Sequence, residues 1–335
     1  MINIAILLVA LVVILLGATV FTNGLEWFGK KMGLSDGAVG SIFAAIGTAL
    51  PETLIPVIAI LFGSKQAGYS IGVGAIIGAP FMLGTLAFFI SGIAVIVNRK
   101  KRNDYPAMRV DTVVMRRDME YFLILYGIAV ASTVLRHPVF KLVVSVGLLL
   151  FYGAYILKTL KGGSGDHVVE EADLAPCYFA PKSHDPQFVV ILVQVGISLL
   201  LIVWGAYIFV EKVQLLSEQA GISPFILAMI IAPIATELPE KFNSVIWITK
   251  GKDTLAIGNI TGAMVFQGSV IAAIGILMTE WRLSHAALTT VGLTFGSVGL
   301  AYWQIRTMKT LTANMLLACG FFYAVFIVLV LTGKI

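Results

Sequence analysis

Ten apolar runs fill most of this chain, and each is near or above the ~17 to 25 residues that cross the hydrocarbon of a bilayer. They lie at residues 4–20, 38–61, 71–97, 119–135, 140–157, 188–210, 224–248, 254–278, 286–305 and 311–332. Of 335 residues 59% are hydrophobic and 12% charged, with mean hydropathy +0.95, where a soluble chain carries roughly 25% charged residues. Only helices and closed barrels satisfy every backbone polar group in lipid, and no run alternates polar with apolar as a barrel strand would. The prediction is an all-α integral membrane protein with ten transmembrane helices. The first run has no basic segment before it and is followed by "FTNGLEW", so it reads as a span rather than a signal peptide. Cys177 and Cys319 give neither a metal spacing nor a disulfide framework.

Lysine and arginine set the orientation. Loops after odd-numbered spans hold sixteen of them, and the opposite side holds six. The positive-inside rule therefore predicts both termini outside the cytoplasm. The stretch "NRKKRNDYPAMRVDTVVMRR" would face the cytoplasm, as a topology signal or as a patch for anionic lipid. The Gly-, Pro- and acid-rich segment 159–187 reads as a cytoplasmic linker between a half at 1–158 and a half at 188–335. Five spans per half is an odd number, so homologous halves would enter the membrane from opposite sides: two inverted five-helix repeats.

The repeat is visible at "IGTALPE" (46–52) and "IATELPE" (234–240), within windows 38–97 and 222–279. Each copy continues through a short Gly/Lys loop to a glycine-rich helix carrying Gly78-Ala79 or Gly262-Ala263. Proline has no N–H, so Pro51 and Pro239 free the carbonyls of Gly47 and Ala235, and Pro56 and Pro233 free those of Glu52 and Met229. Such oxygens at membrane depth are expected to line a cavity or bind something. Thr48 and Thr236 precede Glu52 and Glu240 by four residues, which puts hydroxyl and carboxylate on one helical face. Carboxylate and carbonyl oxygens are what a hard cation such as calcium takes. Two half-helices meeting at mid-membrane would gather them. Glu237 stands where the first copy has Ala49, either as a third carboxylate ligand or as the partner of Lys241 four residues on.

These two motifs resemble the alpha-repeat signatures of the calcium/cation antiporter superfamily, whose prokaryotic members have ten helices in inverted halves. The resemblance implies exchange of a divalent cation, Ca2+ foremost, for Na+ or H+. The chain departs from the sodium-coupled pattern: Ala49 and Glu237 stand at serine positions, and Pro80 and Met264 at Asn/Asp positions. Asn259 and Gln267, with Thr261 and Ser269, are the polar side chains left on the second glycine-rich helix, and proton coupling through the glutamates becomes a rival to sodium.

The expectation is a secondary-active antiporter working by alternating access. Its partners are inorganic cations and the lipid bilayer, with no cofactor and no catalytic residue. A passive cation channel and an intramembrane metal-dependent hydrolase are the alternatives, but the hydrolase lacks His or Asp near the motifs. No phosphate-binding loop appears, so no nucleotide and no nucleic acid is expected.

Overall fold

The computed structural model describes residues 2–32, 44–162 and 175–335, with the side chains at 44–48, 160–162, 235 and 238–243 excepted. Among the described residues twelve α-helices follow one another: α1 (Ile2–Lys31), α2 (Ala44–Phe62), α3 (Lys65–Met82), α4 (Phe88–Val97), α5 (Thr112–Ala131), α6 (Pro138–Gly162), α7 (Phe188–Ala220), α8 (Pro224–Thr249), α9 (Asp253–Phe266), α10 (Ala272–Met278), α11 (His285–Met308) and α12 (Ala313–Leu331). A five-residue π turn joins α3 to α4 (Leu83–Ala87) and another joins α9 to α10 (Gln267–Ile271). Among the described residues no strand forms, and seven helices are long and apolar enough to cross a membrane: Ile2–Lys31, Lys65–Val97, Pro138–Thr159, Phe188–Ala220, Asp253–Met278, His285–Met308 and Ala313–Leu331. Ala49–Phe62 and Pro224–Ile234 are shorter apolar stretches, and α5 carries "RRD" and Glu120 in its first half.

The helices fall into two compact units, residues 1–71 with 159–224, and residues 72–158 with 225–335. Each unit draws on both sequence halves.

In the first unit α1 and α7 run antiparallel and pack through reciprocal glycines. A Cβ at Gly17 would meet Ile202 Cγ1 at 2.9 Å and the Ser198 carbonyl oxygen at 3.3 Å. A Cβ at Gly205 would meet Ile14 Cγ1 at 2.9 Å and the Ala10 carbonyl oxygen at 3.2 Å. Adding 188 to 10, 14 and 17 gives 198, 202 and 205, the same offset that relates Glu52 to Glu240. Contact of i with j and of j with i is the mark of a two-fold relation. Only residues without a side chain allow backbones this close. Residues 175–179, within the polar segment 159–187, close over the same helices. Trp27 Nε1 and Asn23 Nδ2 donate to the Ala175 carbonyl at 3.0 and 3.2 Å, and buried Gln194 accepts from Cys177 Sγ at 3.1 Å and Phe179 N at 2.9 Å.

In the second unit α3 crosses α8 closely. A Cβ at Gly78 would lie 2.9 Å from Met229 Cα, and one at Gly74 would lie 3.2 Å from Phe225 Cα. Gly268 packs on Phe122 of α5, while Gly84 packs on Val298 of α11, whose Ser297 hydroxyl donates to the Gly84 carbonyl.

The prolines do not break the helices that hold them. α2 continues through Pro51 and Pro56, and α8 through Pro233 and Pro239, so the expected half-helices are continuous ones. The irregularity sits one helix later. Both π turns begin five residues past the paired Gly-Ala, at 83 and 267. Pro80 precedes the first, but Met264 takes its place before the second, so proline is not the common cause. What they share is Gly84 and Gly268 at the second position and a hydroxyl at the third. Thr85 donates to Phe81 O and Ser269 to Val265 O, a back-bond that competes with the helical ladder.

Candidate cation site

The second unit contains the polar core of the site. α8 carries Pro233, Thr236 and Glu237 in sequence, and apolar neighbours on both sides draw the helix inward. Glu237 is completely buried. Its Oε1 accepts a hydrogen bond from Gln267 Nε2 at 3.1 Å, and Gln267 is itself 1% exposed. Gln267 is the first residue of the second π turn. Burying a carboxylate at membrane depth is costly, so such a group marks a functional position unless its charge is fully matched. The first repeat has Ala49 for Glu237 and Leu83 for Gln267, so the polar pair of one copy is an apolar pair in the other.

The remaining candidates are placed less uniformly. Thr236 is buried, with its hydroxyl donating to the Ala232 carbonyl at 3.0 Å, which leaves an oxygen lone pair unspent by that bond. Asn259 is tied to Ser244 Oγ at 3.5 Å. It lies eight residues from Gln267 along the same helix, about 12 Å at helical rise, so the structure does not bring it to the Glu237–Gln267 pair. Glu52 lies on α2 in the first unit, half-buried. Gly47, Thr48, Ala235 and Glu240 lie outside the described residues as far as side chains go, and so does Lys241, the alternative partner of Glu237. Among the described residues no group of three or more His, Cys, Asp or Glu side chains forms.

Two expectations about lone oxygens change. The Met229 carbonyl freed by Pro233 faces Gly78 of α3, where a Cβ would lie 2.4 Å from its oxygen. Thr261 is engaged elsewhere, donating to Asp118 Oδ2 at 3.0 Å.

Asp118 is one buried acid that sequence reasoning missed. It sits inside a run of charged residues, "RRDME", that reads as a loop signal, yet it is 2% exposed on α5. Tyr155 OH donates to its Oδ1 at 3.1 Å, and Arg117 Nη2 does so at the same distance. With Arg117 Nε at 3.2 Å and the Thr261 hydroxyl, the Asp118 carboxylate accepts from four donors and forms a structural knot. The signal that finds Asp118 is its spacing from Phe122 and Leu125, which continues the buried face of the helix.

A model of the family described as "Sodium/calcium exchanger protein" matches residues 2–161 and 190–332. Inner membrane protein YrbG of Escherichia coli (strain K12) is 23% identical over 290 residues, 84% of this chain and 82% of the relative. The putative antiporter CaxA of Alkalimonas amylolytica is 25% identical over 283 residues, with the same coverage of 84% and 82%. The crystal structure of the H+/Ca2+ exchanger CAX shares the fold with TM-score 0.72 at 16% identity, covering 98% of this chain and 82% of that one. A structure of the sodium-calcium exchanger NCX_Mj superposes with TM-score 0.57 at 20% identity, covering 98% of each. The matched family is one of exchangers, not of enzymes, which removes the hydrolase alternative. The chain belongs to the sodium/calcium exchanger protein family, within the calcium/cation antiporters.

Proposed function

We propose that this protein is a secondary-active antiporter that exchanges a divalent cation, Ca2+ foremost, for H+ or Na+ by alternating access. The observation that carries the reading is the fully buried Glu237, held by Gln267 at a π turn, in a chain of an exchanger family. π turns concentrate at functional sites, because the widened turn re-aims side chains and loosens the ladder of backbone bonds. Glu52, Glu237 and Glu240 are the carboxylates assigned to the cation, with Thr48 and Thr236 and the Gly47 and Ala235 carbonyls as the remaining oxygens. A bound divalent cation and the returning ions compete for these groups, and that competition makes transport an exchange.

Ten spans in two inverted halves, with both termini outside, is the membrane plan that goes with this reading. The reciprocal packing of α1 and α7 at an offset of 188 residues supports it, as does the repetition of the π turn.

The test is uptake of radiolabelled Ca2+ into proteoliposomes under separate opposing H+ and Na+ gradients. Uptake that follows one gradient, and that is absent in Glu237→Gln, Glu52→Gln and Glu240→Gln, is the expected result. Flux indifferent to both gradients overturns coupling.

A further inference from the structure

A second polar cleft lies in the unit formed by residues 72–158 and 225–335, away from Glu237. Its volume is about 330 Å³, and it opens where the connection from α4 to α5 meets the short turn between α8 and α9. Its wall includes Asn98, Lys101, Arg102, Asn103, Arg109 and Lys250, with Asp104 as the acidic member. We propose that this cleft is a binding site for a phosphate-bearing anion.

The charges of the wall are only partly spent. Arg109 Nε pairs with Asp104, and Arg102 Nη2 pairs with Asp253, which is fully buried at the start of α9. Lys101 and Lys250 are exposed and have no ion pair among the described residues, so two positive charges remain in excess. Arg102 supplies a second, independent sign. Its side chain is only 10% exposed, and its Nη1 is buried without an acceptor among the described residues, as the Oδ1 of its partner Asp253 is without a donor. A buried charged donor without a partner is costly, and an anionic oxygen is the group that relieves it with a strong, charge-assisted bond.

The wall is also held in place before any ligand arrives. Arg109 N donates to Asp253 Oδ2 at 2.8 Å, Asp111 N donates to Thr254 Oγ1 at 2.9 Å, and Thr254 Oγ1 donates to the Arg109 carbonyl at 3.2 Å. These bonds stitch the basic connection to the first turn of α9, so a ligand meets a preorganised fork rather than a loose tail. The Asn103 amide adds a neutral donor, while that of Asn98 already donates to the Ala94 carbonyl at 2.8 Å. A cleft of about 420 Å³ beside Arg136 and Lys141 makes the contrast. There the lysine is used up: Lys141 Nζ donates to the Glu280 carbonyl at 2.6 Å and to that of Thr279 at 3.4 Å.

The ligand chemistry has two sources, the headgroup of an anionic lipid or a free phosphate-bearing solute. The orientation under the proposed function puts the cleft at the cytoplasmic leaflet, where anionic headgroups are at hand. The binding claim itself does not rest on the exchange reading.

The experiment uses the full chain and no transport readout. Protein in nanodiscs of phosphatidylcholine with and without phosphatidylglycerol is examined by native mass spectrometry for retained lipid. In parallel, detergent-solubilised protein is titrated with inorganic phosphate and with pyrophosphate, following thermal denaturation. The double variant Lys101→Gln/Lys250→Gln changes two exposed side chains and is expected to fold normally, while binding of whichever probe is active weakens by about tenfold or more. Lys334→Gln, at the far end of the chain, leaves binding unchanged. Retention of phosphatidylglycerol identifies a headgroup as the source, and stabilisation by phosphate or pyrophosphate identifies a solute. Absence of binding by every probe, or binding that the double variant leaves intact, overturns the proposal.

Discussion

Glu237 and Gln267 form a buried couple that the first repeat replaces with Ala49 and Leu83, so one copy of the motif has kept, or acquired, a polar core that its twin does without. The energetic consequence is local. A hydrogen bond to a charged group contributes about 1.5–3 kcal/mol, and roughly 1.4 kcal/mol is tenfold in an equilibrium constant. Gln267→Leu therefore weakens apparent cation affinity by about tenfold or more, read as the KM for Ca2+ uptake, if Glu237 is a ligand positioned by the amide. Glu237→Gln keeps size and hydrogen-bonding capacity but removes the charge, and it is expected to abolish uptake while thermal stability in detergent stays near wild type. Loss of folding in Glu237→Gln would instead assign the carboxylate a structural role. Gln194 is the contrasting case of a buried amide that no motif announces. It takes four partners: it donates to Val20 O at 2.9 Å and Asn23 Oδ1 at 3.0 Å, and accepts from Cys177 Sγ and Phe179 N. Gln194→Leu leaves Phe179 N without its acceptor at a cost of about 1–3 kcal/mol. The expected outcome is faster proteolytic cleavage near residues 175–187, measured against wild type under limited trypsin.

At the scale of the helix, the sequence located the elements well and the irregularities poorly. The apolar runs map onto α1, α3 with α4, α6, α7, α9 with α10, α11 and α12, because a stretch of that length and hydropathy has no other solution in lipid. Prolines pointed to breaks in α2 and α8, yet both helices absorb them, since one missing N–H and one displaced carbonyl can be tolerated where a neighbouring helix packs against the gap. The π turns were illegible for a physical reason. A π turn shifts the register of everything after it, and that shift shows in sequence only when a helix has a polar face to be displaced. Lys65–Val97 and Asp253–Met278 are apolar nearly all round and mostly buried, so no stripe exists to reveal the slip. Glycines carry a related lesson. In sequence Gly78 and Gly153 look equally like helix-interior glycines, but a Cβ at Gly78 would press on the backbone of Met229, while one at Gly153 meets nothing within 4 Å. Gly78→Ala is expected to destabilise by about 1–3 kcal/mol, as forced overpacking does, and Gly153→Ala to be neutral or stabilising by up to ~1 kcal/mol through helix propensity. Paired melting curves in one detergent decide it; equal melting temperatures would mean that α3 and α8 do not pack through that glycine.

For the whole molecule, homology and compactness divide the chain differently. The sequence motifs suggest halves at 1–158 and 188–335, but each compact unit takes α-helices from both of these stretches, and α1 with α7 shows how: the two helices pack reciprocally in antiparallel directions. Hydropathy finds the seven helices long enough to span, but not which helices associate, because partner choice in lipid is written in small residues and shape rather than in hydrophobicity. Under the proposed cation site, the charged side chains of the two motifs make a quantitative prediction about transport. Glu52, Glu237 and Glu240 against Lys241 leave two negative charges, which one divalent cation or two monovalent ions neutralise equally. A carrier that crosses the membrane only when neutralised exchanges one Ca2+ for two monovalent ions and moves no net charge, whereas uncompensated charge in the field would cost or gain ~2.3 kcal/mol per 100 mV. Uptake of Ca2+ driven by a proton or sodium gradient is therefore expected to proceed at the same rate when the membrane potential is clamped at zero or at an inside-negative value with potassium and valinomycin. A rate that rises with inside-negative potential would mean that net positive charge enters with Ca2+, so that fewer than two monovalent ions return. A rate that falls would mean three or more return. Either result would require another charged side chain to join the three glutamates and Lys241 in the transport cycle.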